Sequence, residues 1–246
     1  MSSFKKKSSD EIFLKNRLKI NKKTQKKNFQ EYFFKMLPLN TSKNILDLGC
    51  GHGQFSELIL KSKKYKKLYS SDINGKFIKK LRDLKKRFPN FYPHQKNMDK
   101  FNYNKNSLDL IFASYSIYYS KNINSLLSKM IKSLNKNGKI IIANPYKPHF
   151  LVNFVKSVHN VNKKVTRSLQ ISDEIYSFSK KKNLKVEKKI FDNETKLTKK
   201  DILDSYINST MFEKNKLNKI KVKLDKIKND PVKFIKKTSI IIITKS

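Results

Sequence analysis

The sequence predicts an α/β fold: a doubly wound, seven-stranded, mainly parallel sheet that finishes in an antiparallel strand pair. Three observations carry that expectation. From Asn44 to Ala143, short apolar runs of strand length alternate with segments whose apolar residues recur at helical spacing. The first of these runs, Ile45-Leu46-Asp47-Leu48, passes directly into Gly49-Cys50-Gly51-His52-Gly53, so a strand ends in an acid and a glycine-rich turn. An amphipathic stretch, Phe55 to Leu60, starts at once. Glycines at alternate positions let the backbone turn sharply and approach a ligand closely. The helix after them aims its free N–H groups and positive end back at the turn. Such a cradle lies at the carboxyl end of a strand, where open α/β sheets bind their ligands.

The elements follow in order. Residues 1–28 are polar and basic and are expected to form a flexible tail, with helix beginning near Asp10. Phe29, Tyr32, Phe33, Met36 and Leu37 have helical spacing, and Pro38 with Asn40-Thr41-Ser42 ends that helix. Strand one is Asn44–Leu48; strand two, Leu68–Asp72, is closed by Asn74-Gly75. Lys76–Arg87 carries Phe77, Ile78, Leu81 and Leu84 on one face and stops at Pro89-Asn90. Strand three is placed at Phe91–Gln95, and Leu108–Ser114 reads as a buried strand four. Ile123–Leu134 gathers Ile123, Leu126, Leu127, Met130, Ile131 and Leu134 on one helical face; Asn137-Gly138 is expected to stop it, with strand five at Lys139–Ala143. Beyond Pro145 the pattern loosens. Phe150–Val161 and Ser172–Lys181 read as helices, and Leu184–Phe191 and Thr238–Thr244 as the final antiparallel pair. The length suits a single domain over 29–246, with residues 43–143 as its ligand-binding core and about 147–215 as a lid and substrate region.

Composition narrows the class. A chain of 246 residues buries roughly 70–75% of its unfolded surface and needs no staples. The single cysteine, Cys50, excludes an internal disulfide and fits a reducing compartment. The lysine-rich N-terminus lacks the apolar run of a signal peptide, and the longest apolar stretches, near Ile140–Ala143 and Ile240–Ile243, are strand-sized. A cytoplasmic protein without a transmembrane segment is expected. The formal charge of +38 suggests nucleic acid at first sight, but only Arg17, Arg82, Arg87 and Arg167 are arginine, the residue that grips phosphate bidentately. The lysines are spread along the chain, with short runs such as Lys5–Lys7 and Lys180–Lys182, and together with abundant Asn and Ile they read as an AT-rich compositional background on solvated faces. Weak attraction to RNA or anionic membranes at low salt remains open.

Asp47, Leu48, Gly49, Cys50, Gly51, His52 and Gly53 together resemble motif I of the class I S-adenosylmethionine-dependent methyltransferases, an acid, one residue, then Gly-x-Gly-x-Gly. A dinucleotide fingerprint would space its glycines G-x-G-x-x-G, and Gln54 and Phe55 after Gly53 do not supply that spacing. The resemblance covers about Lys43 to Ala143 and implies a Rossmann-like methyltransferase fold with S-adenosylmethionine as cofactor. It implies that Asp47 lies under the methionine portion and takes hydrogen bonds from loop N–H groups or from the amino group, while Gly49, Gly51 and Gly53 cradle the ligand and Cys50 is a small buried filler. His52 is read as loop packing. Asp72, beside Ile73 and 25 positions after Asp47, matches the acid that accepts from both ribose hydroxyls; the alternative is that it caps the next helix or opens the turn before Gly75. Twelve positions before Asp109 stands Asn97, followed by Met98, where the small-molecule branch has an acid and its apolar neighbour around the adenine; Asp99 is the alternative.

Ser107 to Tyr119 resembles the strand-four motif of that branch, which places Ser114 near the sulfonium and makes Tyr115, Tyr118 and Tyr119 candidates for the pocket wall, with core packing as the alternative. No general base is evident; His149, just after strand five, is the positional candidate, with Tyr118 and Tyr119 beside it as further catalytic candidates, and His94 and His159 are weaker. No metal is expected. Asn144-Pro145-Tyr146 has one proline and follows strand five, so it reads as a loop and not as the Asn/Asp-Pro-Pro-aromatic motif of amino-methylating nucleic-acid enzymes. Thr198–Met211 is expected to add substrate contacts through Tyr206, Ser209 and Thr210. The resulting expectation is a methyltransferase acting on a hydroxyl or amine of a small metabolite, for example a sugar or nucleotide sugar. An RNA methyltransferase using the lysine surface and a non-catalytic cofactor-binding scaffold are the alternatives; the aromatic-plus-arginine interleaving of a base-stacking platform is missing from the linear sequence.

Overall fold

The computed structural model describes residues 11–161, 163–209, 212 and 214–246. Seven strands form one sheet: β1 (Asn44–Leu48), β2 (Lys67–Asp72), β3 (Phe91–Gln95), β4 (Leu108–Ser114), β5 (Leu134–Pro145), β6 (Lys185–Leu197) and β7 (Val232–Thr244). Their order is β3-β2-β1-β4-β5-β7-β6. β1 pairs in parallel with β2 and β4, β2 with β3, and β4 with β5. β7 reverses the direction: Asn137 N–H donates to the Lys245 carbonyl at 2.9 Å and Lys245 N–H to the Gly138 carbonyl at 3.0 Å. The mainly parallel sheet with an antiparallel final pair is therefore the fold. Helices α1 (Glu11–Thr24), α2 (Phe29–Met36), α3 (Gln54–Ser62), α4 (Gly75–Lys85), α5 (Ile123–Ser133), α6 (Phe150–Lys156), α7 (Lys163–Lys181), α8 (Lys199–Asn208) and α9 (Leu217–Asp225) accompany it.

The chain divides into two compact units, and the division runs through the expected domain over 29–246. A core unit holds residues 29–144, 171–190 and 239–246; the second holds the described part of 1–28 with 145–170 and 191–238. In the core unit, strand alternation sends Leu46, Leu48, Ile111, Ala113, Ile140 and Ile142 to one face of the sheet, where they pack with Leu126, Leu127, Met130, Ile171 and Ile175. Opposite them, Phe112 meets the rings of Phe33 and Phe55 edge-on at 6.4 and 6.0 Å, and Phe33 meets Phe55 at 5.2 Å. The second unit has its own apolar cluster, which includes Val152, Val155, Leu197, Ile202, Tyr206, Ile220 and Leu224.

Four expectations change. Residues 11–24 are not a free tail: α1 packs on α8, with Asn16 Nδ2 donating to Asn208 Oδ1 at 2.9 Å and Lys23 paired with Asp201 at 3.0 Å. Helix α7 begins at Lys163 rather than Ser172. Its inward residues Val165, Ser168, Leu169, Ser172, Ile175 and Ser179 are all buried, and the serines hide the apolar period. Ser168 and Ser179 can sit there because each hydroxyl donates to a carbonyl of its own helix, Val165 at 2.7 Å and Ile175 at 2.8 Å. Strand β5 begins at Leu134, directly after α5. Asn137, at φ +61°, forms a bulge held against the end of β7, so Asn137-Gly138 is not the helix stop. Finally, Asn144 and Pro145 close β5 instead of forming a loop, and fully buried Asn144 donates to the Ser172 hydroxyl at 3.3 Å. Residues 1–10, with the run Lys5–Lys7, and Thr210 and Met211 of the expected substrate segment lie outside the described residues. Among the described residues no helix is long and apolar enough to cross a membrane.

Phe112 is fully buried at the centre of the sheet. Phe112→Ala is expected to cost about 3–5 kcal/mol, read as a fall in the urea midpoint; a loss under about 1 kcal/mol would show that Phe33 and Phe55 close the cavity.

Candidate active site

The candidate site belongs to the core unit and grows from the β1–α3 turn. Gly49, Gly51 and Gly53 have φ of +77°, +54° and +79°, a left-handed backbone that side-chain-bearing residues rarely adopt. The turn is tied to the end of β2: Gly49 N–H and Cys50 N–H both donate to the Ser71 carbonyl, at 2.7 and 3.0 Å, and Gly51 N–H donates to Asp72 Oδ2 at 2.9 Å. Asp72 Oδ1 accepts from Asn74 N–H at 2.8 Å, so this carboxylate both opens the turn into α4 and holds the glycine loop. A Cβ on Gly49 would lie 2.4 Å from Ser116 Cβ, and one on Gly53 would lie 2.4 Å from Leu81 Cδ2.

Asp47 is 2% exposed. Its expected partners were loop N–H groups or the amino group of the ligand; within the chain, Oδ2 accepts from the Ser56 hydroxyl of α3 at 2.7 Å, and Ser56 shares a 2.7 Å hydrogen bond with the Ser70 hydroxyl of β2. The N–H groups of Gly49, Cys50 and Gly51 go to Ser71 and Asp72, and that of Gly53 goes to the Cys50 carbonyl at 2.9 Å. Burial raises the Asp47 carboxyl to about 7, the Ser56 hydroxyl opposes the rise, and the Asp72 charge adds to it. Burial also raises Asp72, against hydrogen bonds from the Asn74 and Gly51 N–H groups. The Cys50 thiol is pushed well up, first by burial and then by the two carboxylates, which makes it a packing group rather than a nucleophile. His52 rests its ring 4.4 Å from that of Phe77.

The loop after β3 meets the same turn. Lys96 N–H donates to the Asp72 carbonyl at 2.9 Å, Asn97 Oδ1 accepts from Asp99 N–H at 3.0 Å, and Met98 Cε would lie 3.6 Å from a Cβ on Gly49. Asp99 faces elsewhere: its Oδ1 accepts from the Ser120 hydroxyl and Lys121 N–H, at 2.7 and 3.0 Å. At the end of β4, Ser114 is half-buried, and Tyr115, at φ +53°, donates its N–H to Ala143 and sets its ring edge-on to Phe29 at 5.4 Å. Ser116, which the sequence reading passed over, donates its hydroxyl to the Leu48 carbonyl at 2.7 Å and braces Gly49 from behind. Tyr118 and Tyr119 are half-buried with ring centroids 4.6 Å apart, and Tyr118 packs against the core. Ile73 is 38% exposed beside Asp72.

Two expected groups belong to the second unit. His149 belongs to the second unit, where its Nδ1 accepts from Val152 N–H at 3.4 Å and caps α6. Burial, with the charge of Lys236, lowers it to about 4, which makes it a poor general base at neutral pH. Tyr206 is fully buried in the apolar cluster of that unit, stacked on Phe212 at 5.7 Å, so it is a core residue rather than a substrate contact.

Residues 39–189 match a family model described as a methyltransferase domain. The chain belongs to this methyltransferase family. No curated protein sequence matches it. Among solved structures, the methyltransferase chain is similar to the YcgJ protein of Bacillus subtilis, with 13% identity, TM-score 0.64, and 88% of this chain and 97% of that one covered. It is also similar to phosphoethanolamine N-methyltransferase 2 of Haemonchus contortus in complex with S-adenosyl-L-methionine, with 18% identity, TM-score 0.56, and 87% and 51% covered. A SAM dependent methyltransferase from Aquifex aeolicus is a third, with 15% identity, TM-score 0.50, and 66% and 82% covered. The protein is an S-adenosylmethionine-dependent methyltransferase, and S-adenosylmethionine is its cofactor.

The buried carboxyl gives this methyltransferase a pH signature. Asp47 has a native value near 7, above the ordinary 3.8, so between about pH 4 and 7 the folded chain holds a proton that the unfolded chain has lost. Its contribution to stability is therefore favourable at low pH and lost as pH rises through 7. Relative to Asp47→Asn, the wild type without cofactor should lose roughly 2–3 kcal/mol between pH 5 and pH 8, read by urea denaturation at both pH values. Parallel pH profiles for the two proteins would refute the assignment.

Proposed function

We propose that the protein transfers the methyl group of S-adenosylmethionine to a hydroxyl or amine of a small metabolite, a sugar or nucleotide sugar being one such acceptor class. The residues fit the cofactor. Asp72 at the end of β2 offers two carboxylate oxygens to a vicinal diol. Asn97 and Met98 would flank the adenine, with Ile73 beside the ribose. The glycine turn supplies close backbone approach, and Asp47, Cys50 and Ser114 would line the methionine end. When bound, the cofactor supplies an electrophilic methyl on a sulfonium. The protein's own task is to align the acceptor, exclude water and, for a hydroxyl, receive a proton.

The observation that carries the small-acceptor reading is the end of β4: half-buried Ser114, then Tyr115 in a left-handed conformation, then the Tyr118–Tyr119 pair, small and aromatic side chains at the carboxyl edge of the sheet. Aromatic faces suit a cationic methyl donor. The Haemonchus contortus enzyme, which has been seen with phosphomonomethylethanolamine, is a small-molecule precedent on a similar fold.

The RNA reading retains a specific observation of its own. Tyr69 stacks on Tyr92 at 5.3 Å and meets Tyr103 edge-on at 5.5 Å, while Lys85 lies over Tyr92 and Lys96 over Tyr103, at 5.4 and 5.5 Å. Rings and cations from β2, the end of α4, β3 and the β3–β4 loop thus meet in space although they do not interleave in sequence. Structured RNA that binds at moderate salt and weakens steeply as salt rises would favour this reading over the first.

Asp72→Ala should weaken S-adenosylhomocysteine binding by at least about tenfold, measured by calorimetry at moderate salt so that surface lysines do not contribute. Unchanged affinity would refute the ribose assignment. Wild-type binding in the micromolar range, followed by methyl transfer to nucleotide sugars and not to RNA, is the outcome expected for the acceptor.

A further inference from the structure

In the core unit, the amino ends of β1 and β2 are tied in the same manner as their carboxyl ends. The Lys43 carbonyl accepts from Lys66 N–H at 2.7 Å and from Lys67 N–H at 3.0 Å, which fixes the α2–β1 connection against the α3–β2 connection. An open cleft of about 460 Å³ lies where the two connections meet. Asn40, Ser42 and Lys43 line it from the first connection, and Lys64, Tyr65 and Lys66 from the second. That volume is in the range of clefts that hold small ligands.

The lining is cationic and holds no acid. Among the described residues, none of Lys43, Lys64 and Lys66 pairs with a carboxylate. Asp109, the acid bonded to these segments, is committed elsewhere: Oδ2 accepts from Lys43 and Asn44 N–H at 3.0 and 2.8 Å, and Oδ1 from Asn135 Nδ2 at 2.6 Å. Ammonium groups gathered around one cleft repel each other, and a bound anion relieves that repulsion. Ser42 adds an independent observation. It is 5% exposed, and its N–H donates to the Pro38 carbonyl at 3.1 Å. Among the described residues its hydroxyl makes no hydrogen bond. A hydroxyl on so buried a residue ordinarily finds a partner, and the cleft is where one can stand. Three ammoniums, the hydroxyls of Ser42 and Tyr65 and the Asn40 carboxamide form a donor-rich set suited to phosphate oxygens.

We propose that this cleft binds a small phosphorylated ligand of nucleotide size, its phosphate groups held by Lys43, Lys64, Lys66 and the Ser42 hydroxyl. The site lies at the amino end of the β1–β2 pair and the glycine turn at its carboxyl end, so the two are separate. The inference does not depend on the identity of the methyl acceptor.

The test is calorimetry of the full-length protein with uridine diphosphate at moderate salt, in excess S-adenosylhomocysteine so that the glycine turn is filled. Wild type should give a saturable isotherm, and uridine, which lacks the phosphates, should give none. Lys43→Met, Lys64→Met and Lys66→Met combined should weaken uridine diphosphate at least about tenfold. Ser42→Ala alone should weaken it several-fold. Lys129→Met, Lys181→Met and Lys182→Met combined, which remove three exposed lysines elsewhere in the core unit, should leave binding as in wild type. The first triple variant should keep the wild-type melting temperature and affinity for S-adenosylhomocysteine, which separates loss of the cleft from loss of the fold or of the donor site. A non-saturable isotherm in wild type would overturn the proposal. Equal losses in the two triple variants would also overturn it, because the binding would then belong to the general lysine surface. So would undiminished binding in the first, because the ligand would then sit elsewhere, the acceptor pocket included.

Discussion

Two N–H groups, those of Gly49 and Cys50, donate to the single carbonyl of Ser71, and the candidate site depends on that convergence. A carbonyl oxygen has two lone pairs, so it can accept both. The bonds extend the parallel pairing of β1 and β2 beyond the end of β1, and they oblige the chain to leave the sheet through three successive left-handed glycines. Once the turn is fixed in this way, Gly51 N–H falls on Asp72 and the β3–β4 loop docks through Lys96 N–H on the Asp72 carbonyl. Ser116 closes the turn from the β4 side through Leu48. The cradle is thus held by bonds within the chain, and its geometry does not wait for a ligand.

Beneath that turn the chain buries an acid. Asp47 alternates with Leu46 and Leu48 along β1, so the strand register alone sends it to the face that carries α3. Leucine at this position would pack more readily; the hydrogen-bonded chain Asp47–Ser56–Ser70 is what makes the carboxyl tolerable. The Asp72 carboxylate adds to the affinity of buried Asp47 for a proton, so the two form a region that favours positive charge. A cationic ligand placed there relieves both burial and mutual repulsion. That is the physical sense of pairing a motif I acid with an acid at the end of β2 in an enzyme whose donor is a sulfonium.

Much of this was legible in the sequence because it is local. The boundaries of β1, β3 and β4 follow from apolar runs bounded by turn residues, and the glycine turn announces itself by composition. What escaped depends on distant partners. The inward face of α7 uses serines, whose hydroxyls bond within the helix, and no apolar count detects them. Asn137-Gly138 is a sound helix stop until Lys245, the residue after β7, arrives to hold it as a bulge. Ser56, Ser70 and Ser116 look like any other serines in a polar chain; only the register of three strands and a helix gives them an acid or a carbonyl to serve. The Ser56 hydroxyl as a partner of Asp47 escaped for the same reason, and the N–H groups of Gly49, Cys50 and Gly51 are already committed to the end of β2.

The lysines make the complementary case. A chain with 57 basic residues against 19 acidic ones offers a positive surface almost everywhere, and so the total charge discriminates poorly between faces. A lysine carries information when the fold withholds it from water. Lys233 is exposed on its strand, whereas Lys236 and Lys237 are both half-buried. Compositional drift toward lysine fills solvated positions at little cost. The same reasoning separates the rings of Tyr69, Tyr92 and Tyr103 from the other tyrosines, because three strand and loop segments had to converge before their cations and faces met. In a protein this basic, the positions that argue for recognition are those where charge and burial conflict.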